Sequence, residues 1–193
     1  MPNWCNSAYA IEGDAKEVKK LYELMKGLQE RKEPSVKNGF GTTWLGCLVD
    51  ALGGNWNEVW CRGDWNALRF DGKVLRFSTT TAWSPCNETF DLVCEKFPSL
   101  RYFYQSEAPA MVEYWTNDRE GKYFPDRYIA DVCTDDGDYL TEYFTDMSAL
   151  FDWLGKIAER PVRSQQEVDA FEEEWKKENV DAFVNIHEYQ IKD

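Results

Sequence analysis

A chain of 193 residues with 43% apolar and 30% charged side chains has the material for one globular core. Its nine Trp, ten Tyr and eleven Phe exclude a disordered polymer. The net charge of −13 is lopsided, residues 111–193 holding 21 acidic and 9 basic side chains against near balance before them, and such a field argues against general nucleic-acid binding.

The N-terminus carries neither a basic n-region nor an apolar h-region, and apolar stretches run only a few residues, so neither export nor membrane insertion is expected. A cytoplasmic location follows as the expectation. Cysteines 5, 47, 61, 86, 94 and 133 are then expected to be reduced, buried thiols rather than disulfides.

Trp4 to Ile11 reads as a first strand. Asp14 and Glu17 have the spacing of an N-cap and a reciprocating N3 carboxylate, opening a helix whose Val18, Leu21, Tyr22, Met25 and Leu28 share one face. Pro34, Gly39 and Gly41 end it, and residues 33–61 show no clear period, so they stay unassigned. Asp71-Gly72 between Trp65–Phe70 and Lys73–Thr80 predicts a type I′ hairpin. Ser84-Pro85 predicts an N-cap with an N1 proline, followed by Phe90, Val93, Cys94 and Phe97 at helical spacing. Strands are expected at 100–105 and 111–116, interrupted by Pro109.

The tail predicts a hairpin of Tyr128–Cys133 with Tyr139–Phe144, turning at Asp135-Asp136-Gly137-Asp138. A helix through Leu150, Trp153, Leu154 and Ile157 ends near Arg160-Pro161. Another opens on the capping box Ser164 to Glu167, with Val168, Phe171 and Trp175 inward and Glu172, Glu173 and Glu174 solvated. A last strand spans about 182–191.

Through residue 107 the order strand, helix, hairpin, helix, strand is the βαββαβ pattern of ferredoxin-like folds, an antiparallel sheet with two helices on one face. The expected fold class is thus α+β: one domain over 1–193, with a core at 1–116 and an acidic extension at 117–193, made of a β-hairpin, two helices and a strand, packed on it. The domain boundary, if one exists, is expected near 145. The words Met1-Pro2-Asn3-Trp4-Cys5-Asn6, Thr81-Ala82-Trp83-Ser84-Pro85 and Phe97-Pro98-Ser99-Leu100 resemble the YubB-type ferredoxin-like family of plasmid, phage and mobile-element proteins. The run from Thr116 to Pro125 resembles gut-bacterial versions of that family, so the likeness covers about residues 1–125. It implies a fold and a genomic setting but no catalytic motif. Where relatives carry a glycine-containing segment after the fourth strand, this chain has Glu107-Ala108-Pro109-Ala110-Met111. Trp4 and Trp83 are expected to pack in the core, Trp83 as a hydrophobic staple.

Chemistry finds little foothold. His187 is the single histidine and no Cys-x-x-Cys accompanies it, so a zinc site is not expected. As a lone base, His187 lacks an orienting carboxylate, because its neighbour Glu188 points to the other face of a strand. If Gly137 is set at the sixth position of a calcium loop, Val132 and Tyr143 fall where ligands belong, which removes that reading. Pro2 as a catalytic amine and the cysteines as nucleophiles have no partners in sequence. Arg69, Phe70, Arg76 and Phe77 on the central hairpin suit RNA stacking, yet the basic-glycine-aromatic run of RNA-recognition domains is absent. No nucleotide loop, metal or cofactor is expected. The reading that remains is a binding protein of a mobile element whose partner is a protein, met through an aromatic sheet surface or an acidic face of Asp135, Asp136, Asp138, Glu172, Glu173 and Glu174. Two other readings stand beside it: an acidic mimic of nucleic acid that inhibits a host DNA-binding or defence protein, and an enzyme of unrecognised type.

Overall fold

The structure is a computed structural model and describes residues 3–192; the Pro2 reading therefore lies outside the described residues. The chain is α+β with two sheets and divides into two compact units. One runs from the N-terminus through Arg119 and takes back Ile191 and Lys192; the other is Glu120–Gln190. The division lies three residues past the expected edge of the core at 116, and position 145 falls inside the second unit. Among the described residues the buried apolar side chains form two clusters, one in each unit.

In the first unit, β1 (Trp4–Glu12) alternates as a half-covered strand must: Cys5, Ser7, Tyr9 and Ile11 are buried, while Trp4, Asn6 and Ala8 face outward. Asp14 caps α1 (Ala15–Gln29) by accepting from the Lys16 N–H at 2.9 Å. Glu17 does not close the expected capping box. Its Oε2 accepts from the Ser99 N–H at 3.1 Å and Oγ at 2.7 Å, tying the first turn of α1 to the approach of a later strand.

The unassigned stretch contains α2 (Leu45–Ala51), buried from Leu45 to Val49. Five successive buried residues exceed one helical turn, so no helical period marks them, and only Asp50 and Ala51 at the end of the helix are exposed. Its approach is tight at Gly46, where a Cβ would stand 2.3 Å from the Trp44 ring.

The central hairpin pairs β2 (Gly63–Phe70) with β3 (Leu75–Ala82), but the two-residue I′ turn does not form. Phe70 pairs with Leu75, leaving a four-residue loop in which the Asp71 carboxylate accepts from the Lys73 and Val74 N–H groups at 2.9 and 2.8 Å. Two charge-assisted bonds to main-chain amides outweigh the turn-type preference of Asp-Gly. The next helix also begins late. α3 (Asn87–Lys96) has Cys86 at its N-cap with no side-chain cap, because Trp83 adopts φ 74 and the Ser84 carbonyl is taken by the Thr81 hydroxyl at 2.8 Å. Trp83 is 45% exposed and Trp4 49%, so neither is the core side chain expected of it. Of the expected inward face, Phe90 and Val93 are buried and Cys94 and Phe97 only half-buried.

β4 (Arg101–Ala108) continues three residues beyond expectation, a 3-10 turn at Pro109–Met111 follows, and β5 (Glu113–Thr116) returns to pair with it. The sheet order is β2-β3-β1-β4-β5, antiparallel at each of these contacts, with the short β9 (Gln190–Ile191) beyond β5. The Lys192 N–H donates to the Thr116 carbonyl at 2.9 Å. Tyr9 centres the core: its ring lies 4.3 Å from Phe90 and 5.3 Å from Phe77, and its hydroxyl donates to Asn87 Oδ1 at 2.8 Å.

In the second unit β6 (Tyr128–Cys133) and β7 (Tyr139–Phe144) form the expected hairpin, and β8 (Phe183–Glu188) pairs with the other side of β6, giving β7-β6-β8. The expected last strand is two, broken at Tyr189, whose N–H donates to the Arg127 carbonyl. α4 (Met147–Ile157) is capped by Asp146 and α5 (Gln165–Glu178) by Ser164. Leu150, Leu154, Val168, Phe171 and Trp175 from these helices pack on Ala130, Val132, Phe144 and Val184, the residues of one sheet face.

Candidate functional site

The sequence around the β6–β7 turn favours reversal: Gly137 takes φ 87 and donates its N–H to the Thr134 carbonyl at 3.0 Å, while the Asp138 N–H meets Thr134 Oγ1 at 3.1 Å. Asn179, at the end of α5, donates from Nδ2 to the same Thr134 carbonyl at 3.0 Å. The turn is thereby held on a helix end, and the carboxylates of Asp135, Asp136 and Asp138 stand exposed around it.

β7 is an edge strand, paired with β6 alone. From Tyr139 through Tyr143 every residue is exposed, Tyr139 at 73%, and only Phe144 is buried. Tyr139, Thr141 and Tyr143 share the face turned away from α4 and α5. On that face Thr141 Oγ1 donates to Asp131 Oδ1 at 2.6 Å, and Tyr139 packs edge-on against Phe183 with ring centroids 6.2 Å apart. Hydrogen bonding to the Cys133 thiol raises the Tyr139 phenol above its ordinary range. The unit carrying this strand holds 18 acidic and 7 basic side chains.

The second expected acidic group behaves differently. Glu172 and Glu173 share Lys176, at 2.6 and 3.6 Å, and Glu174 pairs with Arg160, which lowers its carboxyl. The triplet is therefore engaged by cations of its own unit, and Glu172 is only partly solvated. Aspartates 135, 136 and 138 keep an open field; glutamates 172–174 do not. The turn was legible in sequence, but the exposed Tyr139, Leu140, Thr141 and Tyr143 were not, since edge position depends on which strands lie beside β6.

The outward face of the first sheet holds a shallow polar depression of about 350 Å³, lined by Asn6, Asn66, Ser78, Thr80, Gln105 and Glu107 around Ala8. Its polar groups bond largely to each other, Ser78 Oγ to Asn66 Oδ1 at 2.5 Å and Thr80 Oγ1 to Asn6 Oδ1 at 3.2 Å. The four residues of the RNA reading divide between the two sheet faces, Arg69 pairing across the hairpin with Arg76. Phe77 is buried beneath the helices, Phe70 stacks on Tyr22 and Arg76 pairs with Asp71 at 2.8 Å.

The remaining nucleophiles are muted. All six cysteines are free thiols; burial first, then the neighbouring Cys47 and Glu88, push Cys61 up to about 11, and burial likewise raises Cys86 and Cys94. His187 is half-buried on β8, and burial lowers its pKa against the opposing pull of Asp131. Among the described residues no group of three or more His, Cys, Asp or Glu is placed to hold a metal ion, and no helix is long and apolar enough to cross a membrane. No family model, curated protein or solved structure matches the chain.

Proposed function

We propose that the chain is an accessory protein of a bacterial mobile element that works in the cytoplasm by binding another protein, and that its first unit is a ferredoxin-like domain of YubB type. The fold part of this reading is supported by the strand order β2-β3-β1-β4, the order of a βαββαβ sheet, and by α1 and α3 lying in the connections that such a fold requires. The genomic setting is supported by the quoted sequence words alone. Free, buried thiols suit a reducing compartment.

The observation that carries the binding reading is the exposed run Tyr139–Tyr143 beside three solvated aspartates. Tyrosines that show much of their surface to solvent are chemistry suited to an interface, and the surrounding field selects a cationic surface. The test is affinity capture from a bacterial extract with the wild-type chain and with the triple variant D135N/D136N/D138N. A retained protein should elute as salt is raised, and the triple variant should retain much less of it. Equal retention by both, or elution indifferent to salt, removes the acidic turn from the reading. A partner that duplex DNA displaces would move the reading to mimicry of nucleic acid.

A further inference from the structure

We infer that β7 accepts an extended, basic segment of a partner as an added strand, so that recognition is carried by main-chain hydrogen bonds at the edge and by acidic side chains around it. The inference rests on the protein-binding reading and supplies its mode.

The alternation of the β6 ladders shows which groups face outward. The Thr134 N–H donates to the Asp138 carbonyl at 3.0 Å, and on the other side of β6 the Tyr189 N–H donates to the Arg127 carbonyl at 2.9 Å. In an antiparallel pair, residues that exchange hydrogen bonds alternate with residues that do not. Counting from these bonds, Leu140 and Glu142 turn their main chain toward β6, and Tyr139 and Thr141 turn theirs toward the open edge. An edge of this kind is a template for another strand unless the fold blunts it with proline, lysine, a bulge or a cover. β7 contains neither proline nor lysine, its pairing with β6 runs without a register shift, and its five leading residues are solvent-exposed.

Charge decides the occupant. Asp131 flanks β7 on the outer face, Glu142 projects on the opposite face of the strand itself, and Asp135, Asp136 and Asp138 close one end. Lysines or arginines on either face of an added strand would find carboxylates, and cross-strand pairs of opposite charge are stabilising. A second copy of the chain is disfavoured, because antiparallel pairing of two β7 edges centred on Thr141 would set the Glu142 side chains of both copies diagonally across one face and join two units of the same sign of charge. Strand addition gives affinity through the main chain and specificity through alternate side chains.

The probe is a synthetic peptide of about eight residues in which lysine alternates with threonine, long enough to match a strand. Its twin carries N-methyl groups on every residue, which keeps every charge and removes the main-chain donors along both edges. Amide exchange, followed residue by residue in the full chain, is expected to slow about tenfold at Tyr139 and Thr141 with the parent peptide in excess, and not with the twin. Thr141→Pro should weaken the parent peptide about tenfold, while Thr141→Val, which keeps the N–H, should not. Equal, salt-sensitive binding of both peptides without slowed exchange at these amides overturns strand addition and leaves the acidic-surface reading intact. Failure of the parent peptide to bind overturns the inference, and so does a salt-stabilised dimer of the chain that excludes it. The N-methyl comparison decides the matter even if Thr141→Pro fails to fold.

Discussion

Val112 holds a backbone conformation that its side chain opposes: φ 56 and ψ 42 lie in the left-handed region, at the end of the 3-10 turn that follows β4. A β-branched residue there is a genuine outlier, costing about 1–2 kcal/mol. At 66% exposure Val112 returns little by burial. Val112→Asn, which tolerates this region, should raise stability by about 1 kcal/mol, read as a higher urea midpoint with an unchanged slope. Asp71 makes the opposite kind of contribution. Hydrogen bonds from Val74 and Lys73, then from Arg76, hold its carboxyl down at about 2, below the ordinary value of 3.8. A depressed folded-state pKa means that the contribution is complete above the ordinary carboxylate range and is lost as pH falls toward about 2. The gap in urea midpoint between wild type and Asp71→Asn should therefore be constant near neutrality and narrow as pH drops from about 4 to about 2. A gap that persists unchanged at pH 2 would show that the loop does not draw on the ionised carboxylate.

Elements whose signals are local were legible, and those set by distant neighbours were not. The β6–β7 hairpin and α5 stand where alternation and the Ser164 cap put them, because each signal lies within the element it describes. α2 was hidden because its five successive buried residues, Leu45–Val49, leave too short a helix to show a period. The β2–β3 turn was misread because the Asp71 carboxylate, not the Asp-Gly backbone preference, organises the loop. The candidate edge fell between these cases: its residues read correctly as a strand, but whether anything lies beside β7 is settled by the pairing of β8 with β6, some fifty residues along the chain. The cap itself can be tested. Ser164 Oγ accepts from the Glu167 N–H at 3.3 Å, while Glu167 turns its carboxylate to the Arg163 N–H rather than to Ser164. Ser164→Ala should lower stability by about 1 kcal/mol, and Ser164→Gly by only a few tenths. Equal losses for the two would mean that packing, not capping, carries Ser164.

At the scale of the whole molecule the charge is divided as unevenly as the sequence suggested, with 18 acidic and 7 basic side chains in Glu120–Gln190 and near balance in the other unit. Two opposed effects then govern how salt acts on the second unit. The ion pairs of Lys176 with Glu172 and Glu173, and of Arg160 with Glu174, are local and have solvent-exposed cations, so screening costs little by weakening them. Repulsion among the remaining carboxylates is summed over the unit and extends over the Debye length, which shortens from about 30 Å at 0.01 M salt to about 8 Å at 0.15 M. The long-range sum outweighs three local pairs, so added salt should stabilise this unit. Amide protection in β6 and α5 is expected to rise across that range while protection in β1 and β3 changes far less. A uniform rise would point instead to a salt effect on the chain as a whole, and a fall in β6 and α5 would mean that the local pairs, not the field, dominate the second unit. The same field that costs stability at low salt is what the proposed basic strand would neutralise, so the parent peptide should protect these elements most where salt is lowest.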